Sequence, residues 1–197
     1  MKETNMYTGT YGIVLLPTPE TVAFAQKRGE EICDNEIKLG TTHLPHLTLY
    51  HTKVTQLPRE TVREALHLLA PKLPLTVTFT KLAPFGGKFA FLDTQCTEPL
   101  VQLHEQALAA ISPFYDSRGV QQADSEALSL TPEEADNVKH YGHPLVGGLW
   151  RPHITVGYVA SGYIAAAKVL SDSGEFDRVA FVCVGEYGTI AELILTA

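Results

Sequence analysis

His46-Leu47-Thr48-Leu49 and His153-Ile154-Thr155-Val156 are two copies of one pattern, histidine, apolar residue, threonine, apolar residue, and a proline precedes each, Pro45 and Pro152. Both copies fall in short apolar runs of strand character, 47–50 and 154–158. Successive side chains of a strand point to opposite faces, so histidine and threonine two apart share a face. Leu47, Leu49, Ile154 and Val156 then turn the other way, into a core. If the two strands lie side by side, two imidazoles and two hydroxyls face one cleft. A match to this pattern is expected by chance on the order of 0.2 times in a chain of this composition, so a second copy carries weight that one would not. The plainer alternative is a pair of ordinary strands, each with an incidental histidine.

Two imidazoles and two hydroxyls suit phosphodiester chemistry. That chemistry needs a base for the attacking oxygen, an acid for the leaving oxygen, and donors for the phosphoryl oxygens. Histidine, with an unperturbed pKa of about 6.5, serves as either acid or base near neutral pH, and a threonine hydroxyl is a compact donor. No metal is required in principle.

Paired motifs of this kind resemble the 2H phosphoesterase superfamily, which includes bacterial 2′-5′ RNA ligase-like proteins and plant and fungal cyclic phosphodiesterases. The resemblance rests on the eight motif residues and their layout. It implies an α+β, bilobal fold, with two pseudo-symmetric sheet lobes, outer helices and a central cleft. It also implies a hydrolase that opens a cyclic or 2′-linked phosphodiester of a small nucleotide or RNA end with no metal or other cofactor. His46 and His153 become the catalytic pair, and Thr48 and Thr155 the phosphoryl-oxygen donors. Analogy with the family makes His153 the base that activates water and His46 the acid that protonates the leaving ribose oxygen; the pseudo-symmetry allows the reverse. The rival is a nucleotide-binding module that keeps the cleft but has little turnover, as in some members of the superfamily. It ranks second because both histidines and both threonines are intact. The substrate stays open among a 2′,3′-cyclic phosphate at an RNA terminus, a cyclic mononucleotide, an ADP-ribose cyclic phosphate, and a 2′-5′ or cyclic oligonucleotide.

The 197 residues, 45% of them hydrophobic, suffice for a globular core. No apolar run approaches the ~18 residues of a membrane span, and residues 1–11 are polar rather than signal-like. A soluble, cytoplasmic protein is expected, with a monomer favoured. A net charge of −7 argues against a broad grip on a long nucleic acid, which draws on many lysine and arginine contacts to phosphate. Lys53, Lys81, Lys88 and Arg151 are candidates for a local basic patch, each with a solvated surface charge as its alternative. Cys33, Cys96 and Cys183 are odd in number and widely spaced, which reads as reduced, packing residues.

Strands are expected at 12–17, 46–51, 75–80, 89–93, 154–159, 178–185 and 190–195. Helices are expected at 18–34, 58–69, 98–111 and 163–171. Val62, Leu66 and Leu69 share one helix face, and Phe85-Gly86-Gly87-Lys88 is a turn. A helix and then a strand hairpin follow each motif, which suggests two related lobes within one domain spanning 1–197. Residues 113–150 look like an insertion that feeds into the second motif and could act as a lid. Within it Thr131-Pro132-Glu133-Glu134 has the form of a capping box, predicting a helix to about Tyr141 closed by Gly142.

Tyr50 has the parity of His46 and is divided between substrate contact and packing, whereas Tyr158 has the opposite parity to His153. Tyr158 faces the core unless a bulge at Gly157 re-aims it. His51 also has the wrong parity for the cleft. Phe89 and Phe91 read as the core face of a strand, and Phe85, at the turn, as a surface for stacking a nucleobase. Arg151 divides between a phosphoryl oxygen and a salt bridge to the lid. His43 with His46, and His140 with His143, are spaced three apart, but Pro45 and Pro144 break the helix that metal ligation at that spacing needs. His143 could instead lie near substrate, while His67 and His104 face solvent or pack. No phosphate-cradling glycine loop and no nucleophile elbow occurs.

Overall fold

A computed structural model describes residues 5–40, 43–118, 130–161 and 167–197. The elements run β1 (Met6–Pro17), α1 (Pro19–Glu30), β2 (Leu47–Pro58), α2 (Arg59–Leu69), β3 (Leu75–Phe85), β4 (Phe89–Thr94), α3 (Glu98–Ile111), α4 (Pro132–Tyr141), β5 (His153–Tyr158), β6 (Lys168–Val169), β7 (Ser173–Val184) and β8 (Ile190–Thr196). Short 3₁₀ turns at Gly147–Leu149 and Glu186–Gly188 flank the last strands.

All eight strands belong to one antiparallel sheet in the order β6-β3-β4-β5-β2-β1-β7-β8, and a further pairing of β3 with β7 closes it on itself. The sheet has two halves, β1, β2, β7, β8 and β3, β4, β5, β6, which meet where Leu47 pairs with Ile154. The α+β class and the central position of the motif strands agree with expectation, but the lobes are not built in sequence order. The β3–β4 hairpin that follows the first motif pairs with the second motif strand, β5, and the β7–β8 hairpin that follows the second motif joins β1 and β2. The second motif strand thus pairs directly with the hairpin that follows the first motif, and the first motif strand reaches the hairpin that follows the second only through β1.

The core lies between the sheet and helices α1, α2 and α3. Leu47, Leu49, Ile154 and Val156 are fully buried in it, as the alternation in both motifs required, and Val62, Leu66 and Leu69 of α2 reach it at helical spacing. Gly86 (φ 56°) and Gly87 (φ 74°), both in the left-handed region, begin the three-residue turn, 86–88, between β3 and β4. Thr131 caps α4 reciprocally: its hydroxyl accepts from the Glu134 N–H at 3.2 Å, and the Glu134 carboxylate accepts from the Thr131 N–H at 2.8 Å.

Several boundaries differ from expectation. The helix expected at 163–171 is not formed at its far end, where Lys168–Val169 pairs as β6 with Lys81 and Leu82; the earlier part of that span, 163–166, lies outside the described residues, as do 119–129 of the expected insertion. Cys33 and Cys96 are exposed rather than packed. Among the described residues, no helix is long and apolar enough to cross a membrane.

Candidate active site

Both motif strands carry a β-bulge at the third residue after the histidine. Along β1, Ile13 pairs with Tyr50 and Val14 with Thr48, so Leu49 is extra; along β4, Ala90 pairs with Gly157 and Phe91 with Thr155, so Val156 is extra. An extra residue advances the alternation by one, so the residue five after each histidine joins the face of the histidine and threonine. That residue is Tyr158 in one copy and His51 in the other. Tyr50, divided in the sequence between substrate contact and packing, borders the cavity but is 2% exposed and donates its hydroxyl to the Tyr141 carbonyl at 2.6 Å.

Buried polar side chains satisfy the backbone at both bulges. The Asn35 amide, just beyond α1, donates to the carbonyls of Gly29 (3.0 Å) and Val156 (2.9 Å), and its oxygen accepts from the N–H of Ile37 (3.0 Å) and Tyr158 (3.1 Å). In the other copy the buried His104 of α3 takes this part. Its Nε2 accepts from the Gly147 N–H at 3.0 Å, so Nδ1 carries the hydrogen and donates to the Leu49 carbonyl at 2.6 Å. Its ring stacks on Trp150 with centroids 4.5 Å apart, and the Trp150 indole donates to the Thr48 carbonyl at 3.3 Å.

The pairing of Leu47 with Ile154 orders the motifs. Extended by one residue each way, it sets His46 beside Thr155 and Thr48 beside His153, with the two histidines as diagonal neighbours across the strand pair. Each imidazole is tethered alike. His46 Nδ1 bonds the Leu44 carbonyl at 2.9 Å and His153 Nδ1 the Arg151 carbonyl at 2.6 Å, in both cases across the intervening proline. A carbonyl accepts only, so each neutral ring carries hydrogen on Nδ1; His153 keeps its Nε2 lone pair for other partners, while the His46 ring also bonds the Gly188 backbone.

A cavity of about 270 Å³ opens on this face. Thr48, Thr155 and His153 line its centre; Phe85, Phe89, Phe91, Tyr187 and Arg151 form one wall, and His51, His143, Leu145, Val146 and Trp150 the other. His46 adjoins the first wall through a backbone hydrogen bond with Gly188. Phe89 and Phe91 therefore face the cavity, contrary to expectation, while the core side of β4 is given by Ala90 and Leu92. Phe91 stacks on His153 at 3.6 Å between centroids, and Phe85 stacks on Phe91 at 4.6 Å. Tyr158 reaches this face behind the wall, stacked on Tyr187 at 4.1 Å and tilted against Phe89 at 5.0 Å. Tyr187 itself holds a left-handed backbone, φ 58°, a conformation that costs about 1–3 kcal/mol and often accompanies functional sites.

Arg151 is paired, but with β4 rather than the insertion. Its Nε and Nη2 donate to the two carboxylate oxygens of the buried Asp93 at 2.9 and 2.7 Å, and Lys81 lies 3.6 Å from the same group. The guanidinium also sits over Phe85 and Phe91, 5.4 and 5.3 Å from their centroids. Burial dominates the imidazole titrations. It lowers His46 and drives His51 well below the ordinary value, with the positive charge of neighbouring imidazoles adding to the effect on His51. It brings His143 to about 4 and His153 to about 3, His153 being lowered further by Arg151. The rings around the cavity are thus neutral at pH 7. Among the described residues, no group of three or more His, Cys, Asp or Glu side chains is arranged to hold a metal ion.

Parity along the motif strands misses His51, because a bulge is invisible in an alternating pattern. Asn35, His104 and the 186–188 turn have no signal in the sequence; their roles come from contacts to motif strands far away along the chain.

The fold is that of 2H phosphoesterases. It is similar to the crystal structure of TT0787 from Thermus thermophilus, with a TM-score of 0.58 over 95% of this chain and 96% of the other at 15% identity. It is similar also to Escherichia coli LigT, in a complex with ATP (TM-score 0.57, 12% identity, 97% and 98% covered) and in one with 3′-AMP (0.53, 14%, 97% and 98%). No curated protein matches the chain by sequence. The family model of the 2′-5′ RNA ligase superfamily matches residues 22–183, and the chain belongs to that superfamily.

Proposed function

We propose that this protein is a metal-independent, cytoplasmic phosphodiesterase that hydrolyses a cyclic or 2′-linked phosphodiester of a small nucleotide or RNA end. The observation that carries the reading is the matched tether: two histidines at the starts of adjoining strands, each with Nδ1 bound to the carbonyl two residues earlier. The phosphorus would sit between them, with the Thr48 and Thr155 hydroxyls donating to its non-bridging oxygens. His153 Nε2 takes a proton from water as the water oxygen attacks phosphorus in line. The bond from phosphorus to the ribose oxygen breaks opposite, and that oxygen takes a proton from His46 Nε2. The greater lowering at His153, to about 3, suits the ring that begins unprotonated. His46 must begin as imidazolium, and the negative charge of the bound diester favours that form.

The small cavity and the net charge of −7 favour a small nucleotide over long nucleic acid. The ATP and 3′-AMP complexes of the similarly folded LigT agree with that size of ligand. The wall of Phe85, Phe89 and Tyr187 offers flat apolar surface for a base, with Tyr158 supporting it from behind and Arg151 able to contact phosphoryl oxygen at its edge. Within a single bilobal domain, residues 130–150 of the expected insertion serve as a lid on the opposite wall. The test is hydrolysis, with excess chelator present, of a panel of 2′,3′-cyclic nucleotides, 2′-5′ and 3′-5′ dinucleotides and cyclic dinucleotides. Cleavage of a cyclic or 2′-linked member that survives chelation is the expected result. Tight nucleotide binding without product at any pH would instead favour the binding module.

A further inference from the structure

The cavity contains a histidine of opposite tautomer to the motif pair. His143 Nδ1 accepts the Leu145 N–H at 3.2 Å. A neutral ring with an occupied Nδ1 lone pair carries its hydrogen on Nε2, so His143 presents an N–H donor where His153 presents a lone pair. We propose that His143 is a third substrate-contacting imidazole, which donates a hydrogen bond through Nε2–H from the lid to an acceptor oxygen of the substrate and transfers no proton. This rests on the phosphodiesterase reading above.

The segment is built to hold that ring. Gly142, at φ 73°, ends α4, and a side chain there would collide with Thr52 Oγ1 and the Tyr115 ring, so glycine lets the chain pass close against both. Beyond the histidine, Asn137 Nδ2 bonds the carbonyls of Pro144 (3.0 Å) and Val146 (3.3 Å), and Val146 is buried. Tyr50 and Tyr115 fasten α4 itself through the carbonyls of Tyr141 and Val138. Together these contacts fix a loop that would otherwise be free to vary.

The donor has no partner within the protein: among the described residues, none hydrogen-bonds His143 Nε2. The nearest ring, His51, meets it edge-on at 4.4 Å between centroids without a hydrogen bond. The rest of that wall, Pro144, Leu145, Val146 and Trp150, is apolar. A donor facing such a wall discriminates strongly for a ligand that supplies an acceptor, because without one it is left unpaired. Burial keeps the ring neutral through the physiological range, which suits a fixed donor and not a proton carrier.

Long-range ¹H–¹⁵N correlation of the histidine rings tests the tautomer whether or not the protein turns over substrate. Expected are Nε2–H for His143, Nδ1–H for His46 and His153, and a shift of the His143 Nε2 resonance on adding adenosine 3′-monophosphate. Nδ1–H at His143, or no response when the nucleotide moves the His153 signals, overturns the proposal. Absence of cleavage with the expected tautomer would sink the enzymatic reading alone. In kinetics, His143→Ala lowers kcat/KM about ten- to hundredfold, whereas His143→Gln, which keeps an N–H donor, stays within about threefold of wild type. Both keep the wild-type pH profile of kcat/KM. An equal loss in all substrates assigns the acceptor to phosphoryl oxygen, and a loss confined to those with a free ribose hydroxyl assigns it to the sugar. Wild-type kcat/KM in the alanine variant, or a lost pH limb in both variants, overturns the donor role.

Discussion

The two motif copies share a backbone and differ in what supports it. Each has the proline, the tethered imidazole, the threonine and a bulge three residues after the histidine. The bulge of the second copy is held by an amide, Asn35, packed inside one half of the fold, whereas that of the first is held by His104, which also binds Gly147 beyond α4. The residue each bulge delivers differs as well, Tyr158 on the aromatic wall and His51 beside His143. The paired histidine–threonine frame is symmetric and the walls are not, so the two ends of a molecule bound in the cavity would meet different chemistry.

The largest expected effect tests the symmetric part. His46→Ala and His153→Ala should each lower kcat by on the order of 10³-fold or more, and Thr48→Ala and Thr155→Ala by on the order of 10²-fold. A full-rate double variant, His46→Ala with His153→Ala, would remove the two-histidine mechanism. Next comes Asn35→Ala, which strips four hydrogen bonds from buried backbone and should cost about 3 kcal/mol in urea unfolding. His104→Ala should cost a similar amount and in addition loosen residues 147–150, read as faster amide exchange there. Equal exchange in both variants would erase the difference between the two supports.

Acid should destabilise the fold through the same rings. His143 and His153 titrate near 4 and 3 when folded and near 6.5 when unfolded, so between those limits the unfolded chain binds more protons. Their contribution is whole above about pH 6.5 and declines as pH falls toward the folded values. His153→Ala should reduce the slope of stability against pH by up to one proton across that window, and an unchanged slope would contradict burial of a neutral ring. The smallest effect is Tyr50→Phe, which removes the hydroxyl bound to Tyr141 and should cost about 1 kcal/mol. A selective loss of substrate affinity instead would return Tyr50 to the ligand face.

The doubled His-x-Thr-x pattern carries the resemblance that implied the class of fold, and alternation on a strand, a local property, sets the four central side chains on one face. The capping box at Thr131 and the glycine stop at Gly142 are legible for the same reason. Where tertiary context adds a residue to the alternation, local reading fails: Tyr50 and His51 exchange faces because of Leu49, and nothing in the sequence 47–51 marks that bulge. Phe89 and Phe91 escape a local reading because period two gives two faces without saying which one meets the core. Here the small Ala90 and the leucine take the core, and the aromatic rings take the cavity.

The exchange of hairpins between the two halves has a consequence for assembly. β2 acquires its full sheet only when β7, more than a hundred residues later, docks on β1, and β5 depends in turn on β4, some sixty residues earlier. Such pairings raise contact order and slow the search for the native topology. They also leave neither half a self-sufficient folding unit, so a chain cut between β4 and β5 would yield fragments that gain structure only by finding each other.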